Sequence, residues 1–150
     1  MFRSFMSEAL AQARAAAARG EVPVGAVVTR GAEVLARAGN RTRELRDPTA
    51  HAEMLAIRAA CAALGQERLA GCALWVTLEP CAMCAQAIAH ARLGRLHFGA
   101  ADPKSGGVLG GARVFAHPQT HHLPEIHDGI DAEACAAVLR EFFAARRQEG

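Results

Sequence analysis

Cys81 and Cys84 stand three residues apart in VTLEPCAMC (Val76 to Cys84), behind a glutamate and a proline. Such a pair reads as a redox dithiol, a metal clip, or coincidence in a chain rich in small residues. The discriminating feature lies upstream in PTAHAE, Pro48 to Glu53. There His51 and Glu53 open one helix, as Cys81 and Cys84 open another. Residues three apart at a helix start face the same way, so both sulfurs can meet one ion. Helix N-termini also favour the thiolate that a metal requires. His51 supplies a third, nitrogen ligand. A lone histidine in an Ala-rich helix is more often a packing residue; beside Pro-Cys-x-x-Cys it reads as a ligand.

A structural zinc needs a fourth protein ligand. Cys61 sits on the helix of His51, but ten residues on, about 15 Å away. Cys72 precedes the strand that leads to Cys81, at the opposite end of the sheet. Cys135 belongs to the apolar stripe of the last helix, and His90 lies about two turns beyond Cys81. None is well placed, so the fourth position is expected to hold water. Zinc lowers the pKa of bound water to roughly 7. Glu53 is then expected to take that proton and pass it to a substrate. The plainer reading of Glu53 is a first-turn glutamate stabilised by the helix dipole.

Alternating helices and strands must position these groups. Phe2 to Arg19 is expected to be helical, with Phe2, Phe5, Met6 and Leu10 on one face and Gly20 as its stop. Val22 to Thr29 and Val34 to Ala38 read as a hairpin turned at Arg30-Gly31. A charged loop, Arg41 to Pro48, leads to a helix over Ala50 to Leu64, with Asp47 and Thr49 as candidate caps and Gly65 beyond its end. Ala73 to Thr77 is a short buried strand, followed by a helix from about Cys81 to Ala91 and a strand from Arg95 to Ala100. Asp102 to Thr120 is Gly-rich and irregular. Glu125 to Ile130 reads as a last strand, and Asp131 caps a helix with apolar residues at Cys135, Val138, Leu139 and Phe142. An opening hairpin followed by β-α-β units implies an α/β fold: a mixed, five-stranded sheet with helices on both faces.

At 150 residues the chain is read as one domain, 1–150, long enough to bury about 70% of the surface its unfolded form exposes. Apolar residues make up 51% of it, which argues against a disordered chain. No apolar run approaches the roughly 20 residues of a membrane span, so no membrane partner is expected. Nor does the N-terminus read as a signal peptide. Five cysteines without framework spacing favour reduced thiols and a cytoplasmic location. The net charge of +2 would not by itself suggest a nucleic-acid partner. Lys104 is the only lysine among 17 basic residues, an imbalance better explained by composition than by base recognition.

HAE followed by PCAMC matches the H-x-E…P-C-x-x-C pattern of zinc nucleobase deaminases. Beyond it, EVPVGAVV (Glu21 to Val28), Gly39-Asn40, DPTAHAE (Asp47 to Glu53), VTLEPCAMCA, FGAADPKSGG (Phe98 to Gly107) and EFFAARRQE (Glu141 to Glu149) resemble the bacterial tRNA-specific adenosine deaminases of the TadA type, in the cytidine/deoxycytidylate deaminase superfamily. The resemblance covers nearly the whole chain. It implies the three-layer α/β/α cytidine deaminase-like fold and conversion of adenosine to inosine at the wobble position of a tRNA anticodon, with release of ammonia. It implies zinc on His51, Cys81 and Cys84, with Glu53 as proton shuttle. It places Asn40 at the nucleoside pocket, Pro23 and Val24 in its wall, Phe143 near the flipped base and Asp102 near the RNA backbone. It also implies a homodimer binding a tRNA anticodon stem-loop. Arg41, Arg43 and Arg46 read equally as phosphate contacts and as a solvated basic loop. Aromatic content of 5%, without tyrosine, argues against extensive base stacking. Two alternatives stand beside this reading. One is a guanine, cytosine or nucleoside deaminase of the same fold; the other is a non-catalytic, zinc-stabilised RNA-binding module.

Overall fold

The computed structural model describes residues 3–149. Five strands form one sheet in the order β2-β1-β3-β4-β5. β1 (Gly25–Arg30) and β2 (Glu33–Gly39) make the expected hairpin, antiparallel with Arg30 opposite Glu33 and a bulge between Val28 and Thr29. β3 (Ala73–Leu78) pairs antiparallel with β1 and parallel with β4 (Arg95–Ala100), and β4 pairs parallel with β5 (Glu125–His127). The mixed, five-stranded sheet read from the sequence is therefore present.

Side chains alternate across the sheet with the period of two that strands impose. Ala26, Val28, Leu74, Val76, Leu96 and Phe98 face α2 (Ala52–Leu64) and α3 (Ala82–His90). Val27 and Trp75 face α1 (Met6–Ala18) and α4 (Ala132–Glu149). The result is three layers, α/β/α, with an apolar core on each side of the sheet. α1 buries Phe5, Met6 and Leu10 as expected, while Phe2 lies outside the described residues. Gly25 is required at the contact between α1 and β1: a Cβ there would sit 1.9 Å from the carbonyl oxygen of Ala9.

Element ends differ from the sequence reading for local reasons. β1 begins at Gly25 rather than Val22, because Val24 donates back to the Val22 carbonyl and Pro23 has no N–H for a ladder. β5 stops at His127, ahead of a turn with Gly129 at φ 74°. The loop from Asp102 to Thr120 is irregular apart from a 3₁₀ turn at Val114–Ala116. β3 thus lies at the middle of the sheet, and the chain leaves its C-terminal end directly into Glu79, Pro80 and Cys81.

Candidate active site

His51 occupies the N-cap position of α2 with extended backbone, φ −70° and ψ 152°. Cys81 occupies the N-cap of α3 in the same way, φ −71° and ψ 176°, and Cys84 falls within the first turn. Two helix starts therefore face one another across the end of β3. His51 Nδ1 lies 3.7 Å from Cys81 Sγ and 3.5 Å from Cys84 Sγ. Zn–S bonds of 2.3 Å and Zn–N bonds of 2.0–2.1 Å in a tetrahedron require an N···S separation of about 3.6 Å. The spacing fits. Among the described residues, these three form the one cluster of at least three such groups whose candidate ligand atoms all lie within 4.8 Å of each other. Cys61, Cys72, Cys135 and His90 stay outside it, as their positions in the sequence imply.

The electrostatics of the trio suit a cation. A hydrogen bond from Cys84, then one from His51, hold the Cys81 thiol down at about 4. Cys84, as the donor to that thiolate and buried besides, is pushed up. His51 is raised, chiefly by its hydrogen bond to Cys81. One thiolate is thus already favoured, and a bound cation would favour the second.

Glu53 sits one residue inside α2 and is 4% exposed. Burial pushes its carboxyl up to about 7, against the opposing effects of its own backbone N–H, His51 and Cys84. A carboxyl so placed exchanges a proton near neutrality, which a solvated first-turn glutamate would not.

α2 lacks a side-chain cap from its own N-cap residue. Asp47 and Thr49 do not cap it, contrary to the sequence reading. Both the N–H and the hydroxyl of Thr49 donate to Asp47 Oδ1, closing a local turn. The cap comes from Asn40 instead, whose Oδ1 accepts the Ala52 N–H at 2.8 Å. Asn40 is in turn tied to Val24, whose carbonyl accepts its N–H at 3.1 Å. Asn40, Val24 and Pro23 therefore adjoin the start of α2, with Pro23 and Val24 buried.

The remaining sequence candidates are placed less directly. Asp102 is half-buried and its Oδ1 accepts the N–H groups of Lys104 and Ser105, so its carboxylate shapes its own turn. Phe143 is 43% exposed on α4, edge-on to Phe142 at 5.4 Å. The end of α4 reaches the strand-entry segment, where Arg146 donates to the Gly20 carbonyl. In the basic loop, Arg43 also donates to Gly20, and Arg41 lies 3.9 Å from Glu44. A cavity of about 690 Å³ lies at the other end of β3, lined by Arg3, Trp75, His97 and Arg95, and includes none of these residues.

Sequence reasoning missed two buried acids. Glu21 is 2% exposed and accepts the N–H groups of Arg43 and Glu44. Glu79 is 4% exposed and accepts four N–H groups of the loop after β4. The signal available was an acid at the edge of an otherwise apolar strand.

The model of the MafB19-like deaminase family matches residues 2–147. A tRNA-specific adenosine deaminase of Agrobacterium fabrum is 55% identical, over 95% of this chain and 94% of its own length. A solved structure from studies of A-to-I editing by tRNA:A34 deaminases at the wobble position superposes with a TM-score of 0.89 at 54% identity, covering 91% of this chain and 100% of that one. A guanine deaminase from Nitrosomonas europaea superposes with a TM-score of 0.81 at 26% identity, covering 93% and 82%. The chain belongs to the MafB19-like deaminase family and, within it, to the tRNA-specific adenosine deaminases.

Proposed function

We propose that this chain hydrolyses adenosine to inosine at the wobble position of a tRNA anticodon, releasing ammonia. The observation that carries the chemistry is the closed trio of His51, Cys81 and Cys84 with the buried Glu53 beside it. The substrate is supported by the identity shared with tRNA-specific adenosine deaminases.

His51 Nδ1 and the sulfurs of Cys81 and Cys84 hold zinc in this reading. Zinc there supplies a Lewis acid that lowers the pKa of water to roughly 7. Glu53 accepts the proton of the attacking water on its carboxylate and delivers it to the ring nitrogen next to carbon 6. With the water oxygen now bonded to carbon 6, Glu53 takes that oxygen's remaining proton and passes it to the exocyclic amine, whose bond to carbon 6 breaks to release ammonia; one water is consumed for each inosine formed. Burial of Glu53 keeps bulk water from competing for that proton.

Asn40, Pro23 and Val24 line the nucleoside pocket in this proposal. Asn40 has one amide atom committed to α2, and among the described residues its NH2 group makes no hydrogen bond. That group is free to meet the base. Phe143 on α4 and the loop containing Asp102 complete the RNA-facing side. Arg41 and Arg46 are proposed phosphate contacts, with Arg43 divided between that role and Gly20. An anticodon loop presents its base already unpaired, at lower cost than extraction from a duplex. Family membership supports a homodimer of one-domain chains, residues 1–150 forming a single deaminase domain. The odd, unframed cysteine count supports a cytoplasmic location, and among the described residues no helix is long and apolar enough to cross a membrane.

Assaying an anticodon stem-loop that begins its anticodon with A, free adenosine, guanine and cytosine side by side at two salt concentrations tests the substrate. The stem-loop should react far faster than adenosine and slow as salt rises, because phosphate contacts release counterions. Comparable turnover of guanine or cytosine, with no inosine in RNA, overturns the tRNA assignment and leaves the zinc chemistry intact. Zinc-replete protein inert on every substrate makes this a binding module.

A further inference from the structure

Glu79 leaves β3 one residue before Pro80 and two before Cys81, and it is 4% exposed. Burying a carboxylate is costly unless donors replace its water. Here Oε1 accepts the Asp102 N–H at 3.0 Å, while Oε2 accepts those of Val108, Leu109 and Gly110 at 3.1, 2.9 and 3.2 Å. Burial pushes the carboxyl up, but the four N–H groups together outweigh it and hold the group below its ordinary range.

All four donors belong to the irregular segment after β4. The same segment is sewn to the neighbouring backbone, where Gly107 donates to the Pro80 carbonyl at 2.8 Å. The approach is close enough to demand glycine. A Cβ on Gly106 would lie 2.5 Å from Glu79 Cδ, and one on Gly107 would lie 2.6 Å from the Ala82 nitrogen. One side of the loop thus rests on Glu79 and the first turn of α3, which carries Cys81. Its other side presents Lys104, Ser105 and Leu109 to solvent. The loop has no ladder of its own, and its donors converge on one anion.

We infer that Glu79 is a positioning residue that sets loop 102–110 against the Cys81 end of the site, and so places the surface that receives RNA flanking the target adenosine. The RNA clause rests on the function proposed above; the loop clause does not. Both carboxylate oxygens of Glu79 are taken up by N–H groups of the loop. Removal of Glu79 is therefore expected to weaken the hold on long substrates while the chemistry at a bound base persists.

The test uses Glu79→Gln, purified with zinc. The amide keeps the shape but turns a donor toward at least one of the four N–H groups. Zinc content should match wild type, and kcat on the stem-loop should stay within about threefold. KM should rise about tenfold, the equivalent of one charged hydrogen bond. Amide hydrogen exchange should accelerate in residues 102–110 and stay unchanged in α2 and α3. Wild-type KM in the zinc-replete variant, or acceleration spread evenly through α2 and α3, overturns the inference. If Glu79→Gln does not fold, Gly106→Ala approaches the same seam from the loop side. It should show the same KM rise, and an unaltered KM there overturns the inference equally. Wild-type enzyme that leaves the stem-loop unedited would instead defeat the proposed substrate, while the exchange pattern still decides the positioning of the loop.

Discussion

Asn40 caps α2 and is the proposed nucleoside contact, and two substitutions pull these roles apart. Its Oδ1 accepts the Ala52 N–H at 2.8 Å, replacing the side-chain cap that His51 does not provide. Removing a helix cap typically costs about 1 kcal/mol, within a range of about 0.5–2. For a domain of this size that lowers the melting temperature by roughly 2–4 °C. Asn40→Ala should therefore melt about that much lower. It should also bind zinc more weakly, because the loosened first turn of α2 holds His51. Asn40→Asp keeps an acceptor and adds a negative charge at a helix N-terminus, worth about 0.3–1 kcal/mol. Its melting temperature should therefore match wild type or exceed it by up to about 4 °C.

Turnover separates the second job. If the Asn40 NH2 group donates to the nucleoside, aspartate cannot replace it, and kcat/KM on the stem-loop should stay at least about tenfold below wild type. Thermal melts with zinc content measured on the same samples, paired with steady-state kinetics, give both readings. An Asn40→Ala protein that melts with wild type and keeps its zinc would refute the capping argument. An Asn40→Asp enzyme as fast as wild type would refute the substrate contact and leave Asn40 a structural residue.

Cys84→Ala should lose zinc and activity together and melt lower, since a metal that binds only the folded form contributes to its stability; full zinc content in the purified variant would remove Cys84 from the ligand set. Glu53→Gln should keep the fold and zinc yet lose at least about 10²–10⁴-fold in kcat, because the amide cannot carry the proton; near-wild-type turnover in metal-replete protein would exclude Glu53 from the mechanism. His97, stacked on Trp75 at 3.7 Å, is lowered to about 4, first by burial, then by His127 and Arg95, with Glu125 opposing. The unfolded chain therefore takes up this proton below about pH 6.5 while the folded one does not, so stability is lost as pH falls from about 6.5 towards 4, by up to about 3 kcal/mol. His97→Phe should narrow the gap in melting temperature between pH 7 and pH 5 relative to wild type, whose zinc-dependent loss both proteins share; an unchanged gap would show that His97 does not contribute.

The cluster of His51, Cys81 and Cys84 was legible in the sequence because helix starts are local. A Pro before Cys81 and a three-residue step to Cys84 place both sulfurs without reference to the rest of the fold. The sheet was legible for a similar reason, since Leu74, Val76, Leu96 and Phe98 alternate with Trp75 and His97 at the strand period. The cap on α2 was not. Asp47 and Thr49 are the right residue types at the right distance, but they satisfy each other. Asn40, twelve residues upstream, is brought to Ala52 only by the return of β2 along the sheet. No local pattern encodes that meeting.

The two buried acids were hidden by the same distance, and they show how the irregular parts of the fold are held. Backbone N–H groups buried in a helix or sheet are satisfied by the ladder itself; those in a loop need a partner from elsewhere. Glu21 meets this need for Arg43 and Glu44 at the loop before α2, with bonds of 3.2 and 2.8 Å. Glu79 meets it for Asp102, Val108, Leu109 and Gly110 at the loop after β4. Each acid stands at an end of a central strand, Glu21 ahead of β1 and Glu79 behind β3. Since β1 and β3 run antiparallel, those two ends lie on the same edge of the sheet, the edge that faces His51 and Cys81. An apolar residue at either position would serve the core equally well but would leave up to four N–H groups without an acceptor. The acids are therefore better explained by the loops than by the core, and the loops they fix are the ones that border the catalytic end of the molecule.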